Sequence, residues 1–206
     1  QCFKSVVATH LSTMFAWAAL ANSDRVGAII FGDKSQQDIR PRRSKHAVLE
    51  FVHQLRDFNH KLKSPIPSPG DTSILQMLEE ARRIAKPGSA IFIVSDFHDW
   101  SEACEELLFQ LQRHTSVTLF HVYDQLESRL PDDGLYTITN GEQRQQVAAS
   151  DKAGQRFQAR YQARLAHLTQ SCQKLGVSLL SCSGTDDLNM MMRELFGKKR
   201  RKAGKR

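Results

Sequence analysis

Apolar residues recur along this chain at two spacings. Over residues 3–21, Phe3, Val6, Val7, Leu11, Met14, Phe15 and Ala18 fall three or four apart, which predicts an amphipathic helix ending at Asn22 and Ser23. The same spacing predicts helices over 43–62, from Thr72 or Ser73 to Pro87-Gly88, and over 101–113, 151–175 and 186–196. Ser73 with Gln76 fits a capping box, and Gly176 is well placed to stop the long helix. Between the helices lie short, mainly apolar runs at 26–31, 90–94, 117–123 and 177–180, of which 90–94 is unbroken. Rich in β-branched and aromatic residues, they predict strands buried on both faces of a parallel sheet. A turn at 32–35 leads into a polar stretch, 37–40, that suits an edge strand ending before Pro41. Residues 125–150 are irregular, with a hairpin expected around Tyr136-Thr137-Ile138 and Gln146-Val147. Strands and helices alternate, so the expected class is α/β: a mostly parallel, doubly wound sheet with one antiparallel edge.

Length and charge narrow the picture. The 206 residues suffice for one domain with a sizeable core. The formal charge of +7 suggests nucleic acid until it is located. Residues 198–206 hold seven Lys or Arg; 29 basic residues less these seven leaves 22, against 22 acidic. The body, 1–197, is neutral, and 198–206 reads as a disordered basic tail offering at most nonspecific contact with RNA or an acidic membrane. There is no membrane-length apolar run and no secretory signal pattern, so a cytoplasmic location is expected, with an anchor upstream of Gln1 left open. The chain does not begin with Met and enters a helix at once, which leads us to expect that its true N-terminus is missing. Cys2, Cys104, Cys172 and Cys182 form no C-x-x-C pair and read as small core residues of a reducing compartment.

Candidate chemistry gathers where strands end. The run 90–94 closes on Ser95-Asp96, and the carboxyl edge of a parallel sheet is where ligands bind. Asp99-Trp100-Ser101-Glu102 reads as a capping box for the next helix, which leaves Asp96 for another role. Asp71-Thr72 supplies further oxygens, and hydroxyls with carboxylates suit a hard cation, Mg²⁺ or Ca²⁺. Asp124 and Glu127 are expected to order the long loop and to pair with an arginine such as Arg25 or Arg42. Trp100 reads as a partly buried aromatic at the start of a helix. No dinucleotide fingerprint, phosphate loop or nucleophile elbow is present. A metal-assisted hydrolase using Asp96, Asp124 and His98 is the enzymatic alternative, with no nucleophile or base singled out.

The ordered set Asp24-Arg25-Val26-Gly27, Phe31-Gly32-Asp33, Pro41-Arg42-Arg43, Gly70-Asp71-Thr72, Ser95-Asp96-Phe97, Asp124-x-x-Glu127 and Leu130-Pro131 resembles the bacterial domain-of-unknown-function family 58, over about residues 1–197. Those proteins look like von Willebrand factor type A domains. The resemblance implies a metal-ion-dependent adhesion site in which Thr72 and Asp96 hold Mg²⁺, with Asp96 often acting through water. It implies a non-enzymatic protein-interaction module, an adaptor for a MoxR-type AAA+ ATPase and an unknown client protein. The Asp-x-Ser-x-Ser motif that completes the site is absent. The family places it just upstream of the first helix, after a first strand that is central in the sheet, so that strand is expected to be missing from this chain. A metal-free interaction domain is the alternative.

Overall fold

A computed structural model describes residues 2–32, 35–62, 73–128, 135–139, 144–148 and 152–196. The elements run α1 (Lys4–Ala21), β1 (Val26–Gly32), β2 (Ser35–Arg42), α2 (Lys45–Lys61), α3 (Ile74–Ile84), β3 (Ala90–Ser95), α4 (Glu102–Gln112), β4 (Ser116–Tyr123), α5 (Gln125–Ser128), β5 (Leu135–Thr139), β6 (Arg144–Ala148), α6 (Lys152–Leu175), β7 (Ser178–Ser183) and α7 (Leu188–Phe196). The basic tail 198–206 lies outside the described residues.

The class is the α/β arrangement expected. β3, β4 and β7 form a parallel sheet in that order, with Ile93 beside Leu119 and Leu119 beside Leu179. Because side chains alternate across a strand, one apolar run serves two layers. Ile91, Ile93, Val117, Leu119 and Leu179 face α3, α4 and α6, meeting Leu78, Leu108, Leu168 and Cys172. Phe92, Val94, Phe120, Val122 and Cys182 face the other way, against Val7, Leu11 and Phe15 of α1 and Leu188, Met191 and Met192 of α7. Phe15 anchors that side, its ring stacked on Phe92 at 4.5 Å between centroids and tilted on Phe120 at 4.8 Å.

The antiparallel edge is present as β1 and β2, with α2 packing beside α1 over it through Ala47, Val48 and Phe51. The edge strand runs through Pro41 rather than ending before it. Pro41 has no N–H to give a ladder, and it lies where the β1–β2 register shifts at Gly27. A Cβ at Gly27 would stand 2.7 Å from the proline ring, so glycine is what lets the irregularity close. The hairpin forms as β5 and β6, with Tyr136 opposite Val147.

Among the described residues β1 pairs only with β2, and β3 pairs with β4 on one side only. No described strand joins β1 to β3, although α1 packs on both. Ile91, Ile93 and Val94 remain only partly buried in β3, a strand with no Lys or Pro to guard its edge. Among the described residues no helix is long and apolar enough to cross a membrane. Open apolar edges of this kind favour strand-to-strand association. We therefore expect this 206-residue chain to be marginally stable and to self-associate as its concentration rises. Light scattering with denaturant unfolding checks this; a monomer with a clean, concentration-independent two-state transition would contradict it.

Candidate functional site: an ion-paired rim at the strand ends

Parallel strands end together, so the turns after β3, β4 and β7 share one rim of the sheet. At the first turn the Ser95 hydroxyl accepts the Phe97 N–H at 3.2 Å and Asp96 Oδ1 accepts the His98 N–H at 3.3 Å. Phe97 takes a left-handed backbone, φ +48°, unusual for a bulky residue. Its ring is buried and meets Trp100 edge-on at 5.8 Å, so burial offsets the strain and the tight turn presents Asp96 at the rim. Trp100 is partly buried, as expected, and donates its indole N–H to Ser171 Oγ at 3.3 Å.

Asp99 does not cap α4, whose N-cap residue Ser101 makes no side-chain capping bond. Asp99 Oδ2 instead accepts the Ile74 N–H at 2.9 Å, across to the start of α3. An orphan N–H at one helix terminus is as good a partner for a carboxylate as that at another, and here the tertiary neighbour wins. α3 has the Ser73–Gln76 capping box. Ser73 and Ile74 thus stand beside the β3–α4 turn, whereas Asp71 and Thr72 lie outside the described residues.

Asp96 is not free. Lys4, the first residue of α1, places Nζ 2.7 Å from Asp96 Oδ2 and 2.6 Å from Glu127 Oε1. Burial alone would pull the ammonium down and push the Asp96 carboxyl up. Their mutual charge and hydrogen bond, aided by Glu127 for Lys4 and by the His98 N–H for Asp96, reverse both. Lys4 ends above its ordinary 10.5 and Asp96 below its ordinary 3.8. Glu127 is positioned from α5. The Asp124 N–H donates to Glu127 Oε2 at 3.4 Å, and Asp124 Oδ1 accepts the Leu126 N–H at 2.9 Å. The acids after β4 do order their turn, but the cation that Glu127 meets is Lys4 rather than Arg25 or Arg42.

The end of α1 is held in place by its backbone. The Cys2 N–H reaches the Gly184 carbonyl at 3.4 Å, and a Cβ on Gly184 would come within 2.2 Å of the Cys2 oxygen. Cys2 is exposed here, unlike the core residue expected, while Cys104, Cys172 and Cys182 are buried free thiols. Burial pushes Cys172 and Cys182 up to about 11, so both remain protonated and inert.

Beneath the ion pairs is a cavity of about 50 Å³. Lys4, Asp96 and Glu127 line one side; His98, His121, Tyr161 and Arg164 line the rest, with Leu165 and Leu168 below. His121 is buried, its ring stacked on Tyr123 at 5.5 Å and its Nδ1 3.3 Å from Ser181 Oγ. Burial pulls its pKa below 6.5 despite nearby Asp96 and Glu127, so the imidazole is neutral at physiological pH. Burial first, then Tyr123 and Glu127, push the Tyr161 phenol up to about 12. A space of this size has room for ordered water between its polar groups.

These donors do not suit Mg²⁺ as they stand. A magnesium ion wants six oxygens at about 2.0–2.1 Å. Asp96 and Glu127 already share an ammonium, and no group of three or more metal-ligating side chains occurs among the described residues. Of the two residues expected to bind metal, Asp96 is on the rim and Thr72 is outside the described residues. Sequence reasoning missed Lys4, His121 and Tyr161. Lys4 did leave a trace, as the only Lys, Arg, Asp or Glu within α1.

A half-exposed ion-pair network lies between surface and buried limits, so Lys4→Met or Asp96→Asn should each cost about 1–3 kcal/mol of stability. The pH dependence has a definite sign. Because the folded Asp96 pKa is depressed, its contribution is complete above 3.8 and fades as pH falls through the lower folded value. The raised Lys4 pKa keeps its contribution complete below 10.5, to be lost only as pH rises through the higher folded value. Urea unfolding of wild type and Asp96→Asn from pH 2 to 8 should show a gap that closes only on the acid side.

Residues 1–170 match the sequence profile of DUF58, described as a protein of unknown function. The comparison with curated proteins gave no match. A crystal structure of the conserved hypothetical protein BatB from Bacteroides thetaiotaomicron is similar at a TM-score of 0.55 and 14% identity, covering 93% of this chain and 86% of that one. At that identity the likeness bears on fold alone, and it is compatible with a von Willebrand factor type A-like α/β architecture. With a match spanning most of its length, the chain belongs to the DUF58 family.

Proposed function

We propose that this chain is a non-enzymatic protein-interaction module whose contact face is the rim around Lys4, Asp96 and Glu127. Its partners in this reading are a MoxR-type AAA+ ATPase and a client protein. The ATPase is an expectation from the family resemblance; the contact face rests on geometry. The observation that supports it is a charged network left accessible and framed by apolar surface. The side chains of Lys4, Asp96 and Glu127 are 37%, 37% and 36% exposed. Their chain neighbours Phe3 and Leu126 are 80% and 52% exposed. Large apolar side chains beside a satisfied charge network have the composition of a protein-binding patch, where the apolar groups supply affinity and the charges fix orientation. Mg²⁺ bridging through Thr72 and Asp96 belongs to this reading only if the ion displaces Lys4 from Asp96.

The hydrolase alternative has less support. Its three candidates, Asp96, Asp124 and His98, are reduced to two on the cavity wall, and Asp124 is engaged by the Leu126 N–H. Among the described residues the hydroxyl–imidazole contact there is Ser181 Oγ with His121 Nδ1 at 3.3 Å, and Ser181 is not one of the residues lining the cavity.

With the purified ATPase of the same cell in a pull-down, Phe3→Asp and Leu126→Asp should each lower recovery about tenfold, the scale of a moderate interface residue. Asp96→Ala should weaken it as well. Recovery indifferent to all three substitutions would remove the rim from the interface.

A further inference from the structure

We infer that the cation of this rim is the Lys4 ammonium itself, so that the contact face assembles without a divalent metal. The inference takes the interaction reading for the face's purpose, but its test reads cation binding and unfolding without any partner. The two can therefore fail separately.

All four carboxylate oxygens already have donors. Asp96 Oδ2 and Glu127 Oε1 accept from Lys4, at 2.7 and 2.6 Å. Asp96 Oδ1 accepts the His98 N–H and Glu127 Oε2 the Asp124 N–H. An ion entering at Asp96 Oδ2 would have to break its 2.7 Å bond to Lys4 and stand beside the ammonium it displaced. Among the described residues lining the cavity, the Lys, Arg, Asp and Glu charges pair off: Lys4 and Arg164 stand against Asp96 and Glu127, and burial keeps His121 neutral. A dication added to that set would bring an excess of two positive charges into a half-buried space.

Lys4 is not a loose side chain that happens to reach. Its helix packs on β3 and β4 through Val7, Leu11 and Phe15, and the segment before it is held against Gly184. Placing a cation in the first turn of a helix opposes the helix dipole, and α1 has no acidic residue there to offset it. The compensation comes from two carboxylates on other elements. One ammonium thereby joins α1, the turn after β3, and α5, a connection that a coordinated ion could also make.

Thermal unfolding of the full chain in EDTA, then with Mg²⁺ or Mn²⁺, tests this. Wild type and Lys4→Arg should show no saturable shift in midpoint. Lys4→Met should unfold about 3–10 °C lower and recover in a saturable way with Mn²⁺. Lys4→Met with Asp96→Asn should not respond to the ion. A saturable rise in the wild-type midpoint that Asp96→Asn removes would overturn the inference. If Lys4→Met does not fold, the electron paramagnetic resonance signal of free Mn²⁺ with wild type decides. An undiminished signal supports the inference, and one bound ion per chain that Asp96→Asn abolishes overturns it.

Discussion

Lys4 carries the one Lys, Arg, Asp or Glu charge of α1, and it sits where α1, the turn after β3 and α5 meet. The turn after β3 brings Asp96, α5 brings Glu127, and the ammonium between them fixes the start of the helix that covers β3, β4 and β7. Removing it would leave two carboxylates in a half-buried space with no other cationic side chain paired to them among the described residues. Breaking one partner of such a network costs more than the network contributes when whole, because the desolvation already incurred is no longer offset. The rim's geometry therefore depends on a charge balance among side chains of different elements. No local sequence rule operates over the 92 and 123 positions that separate Lys4 from its partners.

That separation accounts for what the sequence shows and what it hides. The strand at 90–94 was legible because a buried parallel strand must be apolar on both faces, and Phe92 and Ile93 do point to opposite layers. The Ser73–Gln76 capping box was legible because both partners lie within one turn. Gly176 was legible as a helix stop because its φ of +68° is one that residues with a Cβ avoid. Pro41 misled because its tolerance depends on a register shift opposite it, at Gly27. Asp99 misled for the same reason in another form: the local capping box was plausible, but the Ile74 N–H came closer. The motif Asp124-x-x-Glu127 was visible as an acid pair without its cation, since Lys4 reads locally as an ordinary first-turn residue.

The core explains why the rim can be held to tight distances. Phe15 stacks on Phe92 and meets Phe120, tying the middle of α1 to two adjacent strands of the parallel sheet. Gly184 leaves room for the Cys2 backbone and no more. With the helix fixed at its centre and pinned at its start, Lys4 has only side-chain freedom to lose on pairing, and a shared ammonium loses it once for two bonds. The antiparallel pair β1–β2 is a weaker part of the same body. It meets the parallel sheet through helices rather than through a described ladder. Side-chain burial under α1 and α2 holds it, and among the described residues no third strand pairs with it.

Charge balance also decides between the two ways a rim of this kind can present itself. A coordinated dication with open positions would attract a partner carboxylate strongly and specifically. A lysine shared by two acids has little net field left to offer. Its effect is to keep Asp96 ionised and to hold the oxygens of Asp96 and Glu127 in fixed positions. In the proposed interface affinity would come mainly from exposed apolar side chains such as Phe3 and Leu126, while the ion-paired triad would contribute orientation and penalise a mismatched partner. Such a contact would weaken only modestly with salt and not at all with chelation. A rim built on metal would respond in the opposite order, and so the resident cation governs how the interface answers its surroundings.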